Sequence, residues 1–362
     1  MKLFIFNHIL KDSVIKALLD FKKTEDEDSY FTAMHGLIKY SGERLTDKSI
    51  VREYLLRKML EHDNLPDITS LRNFLRNDIK AIYNTFFETN WDKLASDSGL
   101  ASPEDITSAP KFSGLRSYAL SLESMIDCTS NEALGGAILA HAESFGTGMT
   151  AAHEALKWDG NALCASETDS TSFDSIFGLS AQKMSIIENT ERYIQGKSAS
   201  SIMLTGTAGT GKTACIKACL NLFKESGLRM IFVSPSDAET IPRLISVLNN
   251  KILKYIIVID GMDGEPIDFC GISDSLYPAP PIYAIGRTDK ATESHFGIRL
   301  DFQAYTRDEY LGAAANILKD GGIEMTPELK TAAIQYSMKS DTLCGRLALQ
   351  FAAKVLADMP SD

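Results

Sequence analysis

Eight consecutive residues have the types and spacing of a loop that binds phosphate groups. Residues 206–213 match the pattern G-x-x-x-x-G-K-[ST] at every fixed position. In such a loop, glycines let the backbone turn so that its N–H groups face an anion, at a helix start that also favours negative charge. We therefore predict that the whole loop holds the phosphates of a nucleotide: Gly206, Thr207, Ala208, Gly209, Thr210, Gly211, Lys212 and Thr213.

The last two side chains of this loop have distinct chemistry. The Lys212 ammonium would neutralise the β- and γ-phosphates, and the Thr213 hydroxyl would bind Mg²⁺. The flanks also fit, because residues 202–204 are typical of a buried strand and residues 214–225 of an amphipathic helix. A glycine-rich turn without a ligand is the alternative, but it needs the glycine spacing, the Lys-Thr pair and both flanks to coincide by chance.

A second metal ligand is predicted downstream of the loop. Residues 255–259 are apolar and precede Asp260, so a buried strand would end in a carboxylate. In a parallel sheet this strand end lies beside the phosphate loop. Asp260 can then hold Mg²⁺ and its water shell together with Thr213.

The residue after Asp260 does not fit a hydrolytic site. In most ATPases with such a loop, a carboxylate directly after the metal-binding aspartate orients the attacking water, and this position holds Gly261. Asp263 and Glu265 are the catalytic candidates to replace it. The alternative for both residues is a solvated loop acid without a catalytic role.

The composition disfavours several classes of function. The 362 residues carry a formal charge of −11, so a nucleic-acid partner would need a local basic patch. The six cysteines form no C-x-x-C pair, which favours reduced thiols over a zinc site or a disulfide framework. We find no secretory signal and no membrane span in the sequence, and we expect a cytoplasmic protein.

The chain divides into a helical first half and an α/β second half. Up to residue 157 apolar residues recur at helical spacing, which predicts a helical accessory domain (1–157) with its aromatic residues in the core. Residues 158–175 are small and polar and predict a linker. Residues 176–304 alternate strands with helices, which requires a parallel sheet with covered faces, and residues 305–362 form a helical lid. Residues 173–178 suit either a wall beside a nucleotide base or a plain helix cap.

The second half resembles the AAA+ superfamily. More narrowly, it is similar to an uncharacterised bacterial family of predicted AAA+ ATPases known only as a domain of unknown function. More distantly, it looks like the origin-recognition and initiator branch. The resemblance rests on residues 188–193, 206–213, 227–231, 256–260, 282–284, 296–298, 308–311, 344–346 and 350–351.

This resemblance implies a fold class and a set of ligands. The fold class is α/β, with a parallel-sheet AAA+ P-loop NTPase core and a C-terminal helical lid, preceded by an all-α N-terminal domain. The ligands are ATP and Mg²⁺, bound near a subunit boundary, so a homo-oligomer is compatible with the sequence. Arg346, near the start of the last helix, would reach over the γ-phosphate as a lid sensor. The alternative for Arg346 is an exposed helix arginine.

Three positions depart from the AAA+ pattern. Gly261 stands where a second acidic residue is usual, and Arg287 where an asparagine sensor is usual. His295 stands where a neighbouring subunit would supply an arginine finger, and an imidazole lacks the permanent bidentate charge of a guanidinium. All three positions serve hydrolysis rather than nucleotide binding.

The sequence therefore favours an AAA+ ATP-binding protein with weak or lost hydrolysis. It would act as a nucleotide-dependent interaction or remodelling module on an unidentified protein partner, with no membrane role and no preference for nucleic acid. One alternative is an active ATPase remodeller that uses Asp263 or Glu265. Another is a small-molecule P-loop kinase, which leaves the helical first half and Arg346 unexplained.

Overall fold

The chain forms two compact units. The computed structural model describes residues 1–62, 65, 68, 70–106, 115–248, 253–263, 280–287, 295–338 and 340–358. The first unit runs from Met1 to Glu154, and the second begins at Ala155.

The first unit is helical, as predicted, and its described residues contain no strand. Short polar side chains cap several of its helices: Asp12 accepts hydrogen bonds from the N–H groups of Val14 and Ile15, and Ser130 accepts one from Ala133. The helices are α1 (Ser13–Thr24), α2 (Glu27–Ser41), α3 (Ile50–Leu60), α4 (Arg72–Ile82), α5 (Trp91–Asp97), α6 (Arg116–Ile126), α7 (Asn131–Phe145) and α8 (Met149–Ala152).

The aromatic residues of this unit divide between core and surface. Tyr54, Phe86 and Trp91 are buried in the core, as their helical spacing predicts. Phe74 is 48% exposed and packs its ring against Phe4, with ring centroids 5.4 Å apart. The prediction that the aromatic side chains of this unit lie in the core is therefore wrong for Phe74, and also for Phe4 and Phe31, which are more exposed still.

The second unit is built on a seven-stranded sheet. Its strands are β1 (Ala155–Trp158), β2 (Leu163–Ala165), β3 (Ile202–Gly206), β4 (Leu228–Val233), β5 (Lys254–Asp263), β6 (Ile282–Arg287) and β7 (Ile298–Phe302). The order across the sheet is β2-β1-β4-β5-β6-β3-β7. Neighbouring strands are parallel except β1 and β2, which are antiparallel.

Strand β1 and the edge strand β2 lie in a part of the sequence for which we predicted no strand. Ala155 to Trp158 pair in parallel with Met230 to Val233, and β2 falls inside the predicted linker 158–175. Strands of four and three residues are too short to show an alternating pattern. Their pairing with β4 is a long-range contact that local composition does not encode.

Helices cover the sheet and form the lid, as predicted. The helices of this unit are α9 (Ser180–Ile194), α10 (Lys212–Phe223), α11 (Ile241–Leu248), α12 (Arg307–Asp320), α13 (Pro327–Ser337) and α14 (Gly345–Ala357). Apolar residues of α9 and α10 pack with those of β3, β5 and β6 in one core, while α12, α13 and α14 enclose a second core. Within the described residues, no helix is long and apolar enough to cross a membrane.

A bulge marks the carboxyl end of β5. Asp260 pairs with Ile285 and Met262 pairs with Gly286, so Gly261 is the extra residue, and its φ is +88°. Gly286 has a φ of +145°, and a Cβ atom there would lie 2.2 Å from the Met262 carbonyl oxygen. Only glycine therefore fits at position 286, and the left-handed backbone at Gly261 favours glycine.

We expect Gly286→Ala to destabilise the second unit by about 3 kcal/mol or more, because it adds a backbone clash to left-handed strain. Gly196→Ala is the matched control: Gly196 has a φ of +74° but open space where a Cβ would lie, so strain alone should cost about 1–2 kcal/mol. Urea denaturation followed by Trp158 fluorescence in a Trp91→Phe background measures both. Equal losses for the two variants would contradict the bulge geometry.

A buried histidine in the first unit is held without charge. His141 is 1% exposed, and its Nδ1 lies 2.9 Å from the Ser121 hydroxyl. Its Nε2 has no hydrogen-bond partner among the described residues, and the rings of Tyr118 and Phe145 pack against it. Burial lowers the pKa of His141 to about 4.

This pKa predicts an acid-sensitive first unit. In the unfolded chain, His141 takes up a proton below the ordinary histidine pKa of 6.5. In the folded chain it stays neutral down to about pH 4. Stability should fall between these values, by about 1.4 kcal/mol per pH unit. His141→Leu should flatten that slope in urea denaturation followed by Trp91 fluorescence in a Trp158→Phe background. The exposed control His35→Gln should keep it, and an unchanged slope in His141→Leu would refute the assignment.

Candidate functional site

The loop between β3 and α10 has the backbone of an anion cradle. Gly206, Gly209 and Gly211 have φ angles of +116°, +80° and +105°. A Cβ atom on Gly206 would lie 2.1 Å from the carbonyl oxygen of Phe302 at the end of β7. Gly211 immediately precedes α10, so the positive end of that helix points into the loop. The local fold therefore needs glycine at these positions and leaves N–H groups for an anion.

Lys212 lies over this cradle. Its Nζ donates to the carbonyl oxygens of Gly206, at 2.9 Å, and Thr207, at 2.6 Å. The fully buried Thr210 fixes the same carbonyl of Thr207 by a hydrogen bond of 2.7 Å. The ammonium group is thus held at the rim of the loop by acceptors that an anionic ligand can replace.

Thr213 and Asp260 meet at the edge of the loop. The Thr213 hydroxyl donates to the Asp260 carboxylate at 3.0 Å, which joins the first turn of α10 to the end of β5. Hydroxyl and carboxylate oxygens are the hard ligands that Mg²⁺ prefers. No group of three or more metal-ligating side chains lies among the described residues. The pair fits Mg²⁺, which usually keeps several waters and binds substrate phosphates.

The lid contacts the loop directly. The N–H of Arg346, in the first turn of α14, donates to the carbonyl oxygen of Gly209 at 3.2 Å. A Cβ atom on Gly209 would lie 3.1 Å from the Cβ of Arg346 and 2.9 Å from the Sγ of Cys344. The sequence placed Arg346 near the phosphates, and the structure brings it against the loop backbone.

A cavity of about 970 Å³ opens beside the loop. Another part of its wall consists of residues 175–177 and one face of α12, including Asn316 and Asp320. Tyr305 donates its hydroxyl to the carbonyl oxygen of Phe177 at 3.1 Å. Gly312 leaves room for the Phe177 ring, since a Cβ there would lie 2.4 Å from it. Of the two interpretations of residues 173–178, the structure therefore supports a cavity wall.

The lid residues of this wall were not identified from the sequence. Tyr305, Asn316 and Asp320 have no recognisable spacing relative to the loop, because about 95 residues or more separate them from it. The only sequence signal for this wall was the segment 173–178 before α9, which fits both a wall beside a nucleotide base and a helix cap.

The three predicted departures have different outcomes in the structure. Gly261 lines the cavity beside Asp260, and His295 is exposed. Asp263 ends β5 and pairs in register with Arg287 at the end of β6. The side chains of Asp263 and Arg287, and the whole of Glu265, lie outside the described residues. Their roles stay predictions.

Comparison with known families follows this geometry. The sequence model of a family described as "Protein of unknown function (DUF815)" matches residues 151–268 and 290–359, more than half of the chain. The chain belongs to the DUF815 family. The match includes the loop, Asp260 and Arg346, so the DUF815 region coincides with the second unit. The loop after β3, the strand order β7-β3-β6-β5-β4 and the helical lid confirm the predicted fold class, an α/β parallel-sheet P-loop NTPase core with a C-terminal lid.

Several solved structures are similar to the DUF815 chain. The Thermotoga maritima RuvB Holliday junction branch migration motor is 17% identical over 51% of this chain and 72% of that one, with a TM-score of 0.33. The FIGL-1 AAA domain in complex with ADP is 17% identical over 52% and 74%, with a TM-score of 0.36. The Aeropyrum pernix ORC1 protein in complex with DNA is 18% identical over 50% and 60%, with a TM-score of 0.38. The comparison with curated proteins found no match.

Proposed function

We propose that this DUF815 protein binds ATP with Mg²⁺, hydrolyses it slowly or not at all, and acts as a nucleotide-dependent interaction or remodelling module. The observation that carries the proposal is the contact of Thr213 with Asp260 at the rim of a glycine cradle that also holds Lys212. A turn with a purely structural role does not require a cation, a hydroxyl and a carboxylate at the mouth of one cavity.

Each residue of the site has a task in this proposal. The loop N–H groups hold the phosphate oxygens, and Lys212 exchanges its two carbonyl acceptors for the β- and γ-phosphates. Thr213 and Asp260 hold Mg²⁺, which when bound neutralises charge on the phosphates. Arg346 reaches the γ-phosphate from the lid, so the presence of that phosphate is communicated to α14.

The lining of the cavity supports slow hydrolysis. Among the residues that the structure describes, this lining contains two carboxylates, Asp260 and Asp320. Asp260 is assigned to the metal, and Asp320 lies on the lid helix α12. Gly261, the residue beside Asp260, has no side chain to orient a water molecule, and its φ of +88° disfavours most other residues.

ATP binding should depend on Lys212. Lys212→Met should weaken Mg²⁺-ATP binding by about 10- to 100-fold, because charge-assisted hydrogen bonds contribute about 1.5–3 kcal/mol. Asp260→Asn should abolish the part of the affinity that Mg²⁺ adds. Lys197→Met, a change of an exposed lysine after α9, is the control and should bind as the parent does. Isothermal titration calorimetry measures all four proteins, and a folded parent that binds no adenine nucleotide would overturn the proposal.

ATP turnover should be limited by the missing carboxylate. We expect phosphate release below about 0.01 per second, far under ordinary enzymes. Gly261→Asp should raise it at least about tenfold, since a general base contributes 10²–10⁴-fold in an optimised site and aspartate tolerates left-handed backbone. The isosteric Gly261→Asn should not. A different result would establish the active ATPase remodeller. In that case the parent would hydrolyse ATP quickly and depend on Lys212, and Asp263→Ala or Glu265→Ala would abolish the turnover. Phosphate transfer to a pool of metabolites would establish the kinase.

A further inference from the structure

We infer that three side chains outside the nucleotide cavity, Lys183, Lys217 and Asn221, are positioning residues for the nucleotide. These side chains hold residues 169–177 in place as part of the cavity wall. We call this segment the strap. This inference rests on the proposed nucleotide binding and adds the residues that set how long the nucleotide stays bound.

The strap belongs to the wall of the cavity. Thr171, Ser175, Ile176 and Phe177 line it, together with residues of the phosphate loop and α12. Ile176 is buried in the core of the second unit, and Phe173 packs against that core. The strap is therefore anchored by apolar contacts on one side and faces the ligand space on the other.

The strap has almost no backbone hydrogen bonds of its own. It lies outside the helices and strands, and its backbone hydrogen bonds close one turn, from the N–H of Ser175 to the carbonyl of Ser172 and from the N–H of Ile176 to the carbonyl of Phe173. Partly buried backbone groups need partners. For this segment the partners are side chains.

Asn221 and Lys183 supply those partners. The Nδ2 of Asn221 donates to the carbonyl oxygens of Asp169, at 2.8 Å, and Thr171, at 2.9 Å, which uses both of its N–H groups. The Nζ of Lys183 donates to the carbonyl oxygen of Phe173 at 2.8 Å and to that of Ile176. Four carbonyl groups of the strap are thus held by two side chains.

An ion pair fixes the start of the strap. The Nζ of Lys217 lies 2.6 Å from the Asp169 carboxylate, which also accepts hydrogen bonds from the N–H and hydroxyl of Thr171. The Lys217 hydrogen bond, with those from Thr171, lowers the pKa of Asp169 to about 2. Both side chains are partly exposed, so salt screens their attraction.

The helix that carries two of these anchors explains why they matter for nucleotide binding. α10 begins with Lys212 and Thr213, and Lys217 and Asn221 follow on the same helix about 6 Å apart along its axis. A single helix therefore carries both the predicted phosphate ligands and the anchors of the strap. Loss of an anchor frees the strap relative to the phosphates without removing any group that touches the nucleotide.

The test is the dissociation rate of a fluorescent Mg²⁺-ATP analogue, measured by stopped flow on the full chain. We expect Asn221→Ala and Lys217→Met each to speed dissociation about 3- to 30-fold, while Lys197→Met leaves the rate unchanged. Asp169→Asn combined with Lys217→Met should be no faster than the faster single variant, because both changes break one ion pair. Lys217→Arg should restore most of the parent rate. High salt should speed dissociation from both proteins, but by a larger factor from the parent than from Lys217→Met, which lacks the ion pair.

Hydrogen exchange separates a positioning role from a merely structural one. Bound nucleotide should protect the amides of residues 170–177 in the parent and much less in Asn221→Ala. The inference is overturned if the variants melt at a lower temperature but release the nucleotide at the parent's rate and show the parent's protection of these amides from exchange. A folded parent that binds no nucleotide overturns the proposed function, and the inference falls with it.

Discussion

The hydrogen bond from the Thr213 hydroxyl to the Asp260 carboxylate is the contact on which the site depends. It requires the first turn of α10 to meet the end of β5, although β6 lies between β3 and β5 in the sheet. Parallel pairing brings the carboxyl ends of these strands to one edge, which is where ligands bind in open α/β sheets. The cradle, Lys212 and the lid contact at Gly209 are all arranged around that edge.

The same edge limits the chemistry of the site. The backbone at Gly261 forms a bulge in left-handed conformation. In the neighbouring strand β6 only glycine fits at position 286, because a Cβ atom there would clash with the Met262 carbonyl of β5. A second carboxylate after Asp260 would need a backbone that most residues avoid. In the proposed function, nucleotide binding and hydrolysis are therefore separable, because binding would use backbone N–H groups, Lys212 and a hard-oxygen pair, while hydrolysis would need one more side chain.

The first unit uses buried polar groups to fix its architecture. Asp78 is 1% exposed, and its carboxylate accepts backbone N–H bonds from Phe4, Ile5 and Phe6 at 2.7–3.0 Å. These bonds tie the start of the chain to α4 and place the Phe4 ring beside Phe74. A buried carboxylate is tolerated because three donors compensate its lost hydration.

The sequence by itself determined the phosphate loop, Asp260, the strands β3 to β7 and the helices of the lid, because glycine spacing, apolar runs and capping residues act over a few neighbouring positions. The N-terminal helices followed from the same local periodicity. Only the tertiary structure decided that β1 and β2 join the sheet, that Phe74 lies on the surface, and that Tyr305 reaches Phe177. It also decided that Lys217 and Asn221 hold residues 169–171, some 50 positions earlier. These contacts join residues far apart in the chain, and their geometry is set by the packing of whole elements, which no local pattern contains.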